Sequence, residues 1–215
     1  LKLVHKVINS CAANLIEPKA EKTKPVDPQL VTDTKLCIRK AYYEATGQYL
    51  MVSYFYDDSV KSFLSQKDAK KMLAAGVLTP DELVYANGAA AWIEKCDSTK
   101  IADKIKAQIA KGAKPTVAFL VKDVGLFIAA TEKIVPTVKD VTASSFFIRV
   151  NASRLGGIMA LTQKEQDFIN KWESEAFRKK IAGGSHDGDL KNRIAIVTGA
   201  GSGLGRSITI GLARA

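Results

Sequence analysis

Arg193-Ile194-Ala195-Ile196-Val197-Thr198-Gly199-Ala200-Gly201-Ser202-Gly203-Leu204-Gly205-Arg206 passes from an apolar run through a glycine-rich turn into a helix start. Ile194 to Val197 is continuous and rich in β-branched residues, a composition suited to a short strand buried on both faces. Gly199 allows a sharp exit from that strand. Gly203, without a side chain, allows a diphosphate to approach the backbone, and Gly205 allows the next helix to sit tight on the sheet. The free amides of that helix's first turn, at the positive end of its dipole, favour an anion there. Leu204, Ile208 and Leu212 then form a stripe at four-residue spacing, with Ile210 adding bulk. The last residue is Ala215. The expectation is therefore a piece of a larger enzyme that breaks off inside its cofactor-binding unit.

The 215 residues, 47% hydrophobic, have room for one large domain, or one domain with appendages. Apolar runs are interrupted by Lys or Asp before reaching membrane-spanning length, so no membrane partner is expected. Leu1-Lys2-Leu3-Val4-His5 lacks Met and reads as neither a signal peptide nor a natural start. Three cysteines, Cys11, Cys37 and Cys96, are irregularly spaced. That spacing argues against a disulfide framework or zinc site and fits a reducing cytoplasm. The net charge of +10 raises the question of nucleic acid. However, the lysines are dispersed, aromatics are sparse, and the longest basic run is Arg178-Lys179-Lys180, so nucleic acid is not expected as a partner. Between Lys100 and Lys114, Ile101, Ile105 and Ile109 share one face, which makes the lysines the wet side of a helix.

Along the chain, Leu3, Val7, Cys11 and Leu15 predict an amphipathic helix ended by Pro18. Residues 19–28 read as a surface linker. A helix is expected from Pro28 to Ala45, closed by Gly47, and then an aromatic strand from Tyr49 to Tyr56. Thr79, Pro80 and Glu82 spell a capped helix start in which Glu82 closes a capping box. Val117–Val121 and the segment from Gly125 to Ala130 predict two strands around a tight turn at Lys122-Asp123. A long helix from Thr131, bent at Pro136, should end before Gly156-Gly157. Thr162 and Glu165 open another capping box, for a helix to about Lys180. Residues 182–188 form the clearest linker.

Residues 1–181 show no simple catalytic constellation. There are two histidines, His5 and His186, too few for a three-ligand metal site. Asp57-Asp58 reads as helix capping before it reads as acid/base chemistry. Tyr42-Tyr43 and Tyr54-Phe55-Tyr56 read as core and rim packing.

The spacing Thr198-Gly199-x-x-x-Gly203-x-Gly205, entered through Leu190 to Val197, resembles the start of short-chain dehydrogenases/reductases. The resemblance implies a Rossmann fold, NAD or NADP, and hydride transfer at an alcohol or carbonyl carbon. It implies that Thr198, Gly199, Ser202, Gly203, Leu204 and Gly205 bind the cofactor. Ser202 stands where a basic residue often accompanies NADP, which favours NAD. The family's catalytic Tyr, followed four residues later by Lys, matches none of the six tyrosines, so no catalytic residue is assigned.

Gly76 to Tyr85, and Val121 to Phe127 with the helix after it, resemble the middle of bifunctional proteins. In these a class II aldolase/adducin-like domain precedes a short-chain dehydrogenase, the rhamnulose-phosphate aldolase/alcohol dehydrogenase type. The implied organisation is an α/β fold: a terminal helix at 1–18, an aldolase/adducin-like α/β domain at 19–181, a linker at 182–189, and the first β-turn-α of a Rossmann fold at 190–215. A sugar-derived or sugar-phosphate alcohol is the implied substrate, and a homo-oligomer the implied assembly. Family aldolases hold a divalent metal with several His. Val124 stands where such a His could precede Gly-Leu-Phe, so no metal is expected. The rival readings are an aldolase-like lyase and a non-catalytic oligomerisation scaffold.

Overall fold

The computed structural model describes residues 2–16, 25–171, 190 and 193–214. Part of the linker at 19–28, the helix extension toward Lys180, the linker at 182–188 and His186 lie outside the described residues. Helix α1 (Lys2–Ala13) is followed by α2 (Pro28–Thr46). Asp27 accepts the Gln29 amide at the start of α2, and Pro28 opens its first turn. Gly47 ends it in the left-handed conformation, φ 70°, with its amide on the Tyr43 carbonyl. Thr34, Ile38, Ala41 and Tyr42 form its buried stripe.

Strand β1 (Met51–Phe55) leads into the short helices α3 (Asp58–Leu64), α4 (Ala69–Ala74) and α5 (Pro80–Tyr85). Strand β2 (Ala91–Ile93), helix α6 (Ser98–Ala110) and strand β3 (Ala118–Val121) make a parallel crossover. A tight turn with Asp123 at φ 58° joins β3 to strand β4 (Gly125–Ala130) as an antiparallel hairpin. Helices α7 (Val135–Arg154), α8 (Gln163–Lys171) and α9 (Gly203–Arg214) complete the described elements.

The four strands form one mixed sheet in the order β1-β4-β3-β2. Every residue of β3 and β4 is buried, so side chains on both faces are covered. Helices α2 and α6 pack on each other, with α2 also on β1 and β4, while α3 and α7 pack together and on β4. This is an α/β architecture. Burying a side chain the size of Phe119, Leu126, Phe127 or Ile128 contributes about 1.5–3 kcal/mol, so the hairpin is the energetic centre. Gly125 (φ 145°) is required there: a Cβ would stand 2.7 Å from the Tyr54 ring and 2.8 Å from the Phe55 carbonyl oxygen.

Several expectations are corrected. Ile194–Val197 is not a buried strand: the run pairs with no strand among the described residues, and Ile196 is 92% exposed. A strand needs a neighbour to take its amides and carbonyls, and composition alone cannot supply one. The stripe of α9 is likewise exposed, Leu204 at 84%. Pro136 does not bend a helix but lies in the first turn of α7, where its missing N–H costs nothing. The amides of Ile134 and Val135 both bond to Thr131 in the turn before it. Ile109 is half exposed at the end of α6, whereas Ile101 and Ile105 are buried. Finally, Cys37 and Cys96 are joined as a disulfide, contrary to the reading of irregular spacing. Separation in sequence does not constrain which helix and loop meet on one face of a sheet. Among the described residues no helix is long and apolar enough to cross a membrane.

Candidate functional site

Thr198 to Ser202 form the turn that precedes α9. Gly199 and Gly203 both have left-handed backbone, φ 66° and φ 54°, a conformation that favours glycine at both positions. Nothing lies within 4 Å of where a Cβ at Gly203 would be, so the backbone there faces open space. Gly205 is constrained differently. A Cβ on it would overlap the Gly199 carbonyl and press on the Thr198 carbonyl oxygen. Its close approach is thus to the turn's own backbone, not to a sheet as the sequence suggested.

The helix begins tightly. Arg206 donates its amide to the Ser202 carbonyl at 3.2 Å, and the Thr209 hydroxyl donates to the Gly205 carbonyl at 2.9 Å. The amides ahead of Arg206 have no carbonyl a turn earlier within the helix to bond to. No acidic residue sits in the first turn of α9, at the positive end of its dipole. Of the residues the sequence singled out, Thr198, Gly199 and Ser202 lie in this turn, and Gly203, Leu204 and Gly205 in the first turn of α9. The backbone at Gly203 is open, and the main-chain groups of this turn and helix start are the ones that would hold a diphosphate. Upstream, the Arg193 guanidinium lies 5.9 Å from the centre of the Tyr49 ring, which stacks on Tyr43 at 4.1 Å. This contact sets the entry to the turn beside the corner between α2 and β1.

In the body of the protein, sequence reasoning missed a buried ionic cluster. Arg149, fully buried on α7, donates to the Met72 carbonyl (2.6 Å), the Gly76 carbonyl (2.7 Å), Glu82 Oε1 (2.8 Å) and Ser145 Oγ (3.0 Å). Ser145 in turn donates to Glu82 Oε1 at 2.7 Å. Glu82 Oε2 accepts the Leu78 amide, so the carboxylate closes onto the residue before the Thr79 cap and not onto Thr79 itself. The signal was present: Val138, Thr142, Ser145, Phe146 and Arg149 follow helical spacing on the buried face of α7. A charged residue on such a stripe needs a buried partner. The cluster is closed to solvent and holds α4 and α5 against α7.

Asp57 caps α3 by accepting the Val60 amide at 3.1 Å and pairs with Lys139 at 2.9 Å. Burial alone would raise its carboxyl, but the Lys139 ammonium and the Val60 and Ser59 amides outweigh it and hold it below the usual range. Asp57 is thus a structural cap, as expected. Helix α2 places Tyr42 in the core, where burial pushes its phenol up to about 12. Burial and the neighbouring Tyr56 likewise push Tyr54 up to about 12, and its hydroxyl donates to the Val124 carbonyl. An acid/base tyrosine needs the opposite shift. Thr162 and Glu165 form the expected reciprocal capping box of α8. His5 is exposed on α1. Among the described residues no group of three or more His, Cys, Asp or Glu is placed to hold a metal ion.

A polar groove of about 520 Å³ lies between the end of α6, the Asn87-Gly88 loop and α8, with Gln108, Lys111, Lys114, Gln166 and Lys171 on its walls. Amide side chains there both donate and accept, the lysines carry positive charge, and Asp167 on the same wall carries negative charge. No family model, curated protein or solved structure matches the chain.

Proposed function

We propose that Thr198–Gly205 is the diphosphate-cradling turn at the start of a short-chain dehydrogenase/reductase unit, carried behind an aldolase/adducin-like α/β domain at 19–181. The whole is an NAD(P)-dependent oxidoreductase acting on a sugar-derived or sugar-phosphate alcohol, and Ser202 favours NAD. One observation carries the reading: Gly199 and Gly203 adopt left-handed backbone while Gly205 is pressed on the Gly199 carbonyl, all at the start of one helix. Two glycines are needed for left-handed backbone and one for a close backbone approach, at the spacing of the short-chain dehydrogenase turn that the sequence resembles. When bound, the nicotinamide supplies the hydride acceptor or donor. The residues here anchor its diphosphate through main-chain amides and the helix dipole. The lining of the polar groove supports a sugar-type substrate, and no metal is assigned to this chain.

The test is titration of the ¹⁵N-labelled protein with NADH. Amide shifts confined to Gly199–Arg206 are expected. Unchanged amides at millimolar NADH, or shifts centred elsewhere, would overturn the reading. Stoichiometric zinc in the purified protein would contradict the metal-free assignment.

A second reading, an assembly module, is favoured by α1. Leu3, Val4, Val7 and Ile8 are all more than half exposed on this helix, an apolar face suited to a second copy. Light scattering of Val4→Lys/Ile8→Lys against the parent protein tests it: an unchanged mass would remove α1 from any homo-oligomer contact.

A further inference from the structure

Cys37 lies within α2, next to the fully buried Ile38, and Cys96 lies in the loop between β2 and α6. Their Cα atoms are 6.5 Å apart, across a sequence separation of 59, inside the range a disulfide spans. Both residues are only partly covered, at the edge of the core they pack against. The two ends differ in how they are held. Cys37 rides on a helix anchored by a buried stripe. Cys96 rides on a loop whose other ties are superficial: Glu94 pairs with the exposed Lys70 at 2.9 Å and Lys122 at 3.8 Å. Asp97 caps the α6 amides of Thr99 and Lys100. Exposed ion pairs hold a loop weakly, so the disulfide is its principal tether.

We propose that Cys37–Cys96 is a reversible thiol–disulfide exchange site for a low-molecular-weight couple of the glutathione class, tying or releasing residues 94–97 and the first turn of α6. A thiolate attacks one sulfur of the pair, forming a mixed disulfide and expelling the other cysteine as thiolate. A second thiolate attacks the mixed disulfide and leaves as part of a small disulfide, and the second cysteine thiolate is released. Two small thiols are oxidised to one disulfide and the protein pair gains two electrons. Protons distribute between the thiolates and water. Opening is local, because Ile101, Ala102 and Ile105 keep the rest of α6 in the core.

The test equilibrates folded protein across reduced and oxidised glutathione ratios, alkylates free thiols, reduces, and alkylates again with a heavy reagent. In the oxidised limit neither Cys37 nor Cys96 takes the first label, and in the reduced limit all three cysteines do. Cys37 and Cys96 change label together in one two-electron transition, with circular dichroism unchanged. At labelling times too short for β3 and β4 to exchange in either form, hydrogen exchange then rises at least tenfold at amides 94–99 on reduction. First-label uptake by Cys37 or Cys96 at the oxidised limit would overturn the proposal. So would second-label retention across all ratios, or exchange rising equally throughout the chain.

Discussion

Replacing Arg149 by Met is the sharpest probe of what holds the helices together. The guanidinium is completely buried and makes four hydrogen bonds of 2.6–3.0 Å, one of them to a carboxylate that is itself 2% exposed. Methionine fills similar volume, so the cost is electrostatic, not a cavity. It leaves Glu82 buried with the Leu78 amide and Ser145 as its remaining side-chain partners, and strips the Met72 and Gly76 carbonyls of their donor. Breaking one half of a buried pair costs about 3–5 kcal/mol. For a chain of this size that lowers Tm by roughly 6–20 °C. Lysine cannot span four acceptors, so Arg149→Lys falls between the parent and Arg149→Met. The double variant Glu82→Leu/Arg149→Met removes both charges and should cost no more than one single substitution, giving a coupling energy of at least about 2 kcal/mol. Urea unfolding, read as midpoint and slope, measures these four proteins and the Glu82→Leu single variant that completes the cycle. A loss under about 1 kcal/mol for Arg149→Met, or additivity in the double variant, would refute the reasoning.

Four shorter predictions follow from other contacts. Asp57→Ala should cost about 1 kcal/mol through the lost α3 cap, and Asp57→Asn should keep the cap but lose the Lys139 pair. Because the Asp57 carboxyl is held below its ordinary value of 3.8, its contribution is complete above that pH and fades as pH falls through the lowered value; Lys139, raised by Asp57, loses its share only as pH rises beyond 10.5. Stability curves of Asp57→Asn between pH 2 and 7 should therefore be flatter than the parent's. Gly125→Ala should destabilise by more than about 1 kcal/mol, since the Cβ meets Tyr54 and the Phe55 backbone at a left-handed φ; an unchanged urea midpoint would contradict this. Gly205→Ala should disrupt the turn at Gly199 and abolish the NADH-induced amide shifts while leaving the sheet's thermal unfolding untouched. Reduction of Cys37–Cys96 should lower stability by up to about 4 kcal/mol on the loop-entropy model, and Cys37→Ser should be insensitive to reductant.

What was legible beforehand is what neighbours along the chain enforce. The Pro28 start and Gly47 end of α2, the Thr79-Pro80 start of α5, the Thr162/Glu165 box and the Lys122-Asp123 hairpin are all written within a few residues. So is the turn at Thr198–Gly205, because backbone sterics at a glycine act locally. Such signals could not give the strand order β1-β4-β3-β2, which places the fourth strand between the first and third. Nor could they pair Arg149 with Glu82, or Cys37 with Cys96, across gaps filled by other elements. The run Ile194–Val197 makes the same point in reverse, since its composition asks for a strand while no partner among the described residues supplies the hydrogen bonds. Caps and turns are satisfied by adjacent atoms, whereas ladders, buried charges and disulfides exist only once distant segments share the same space.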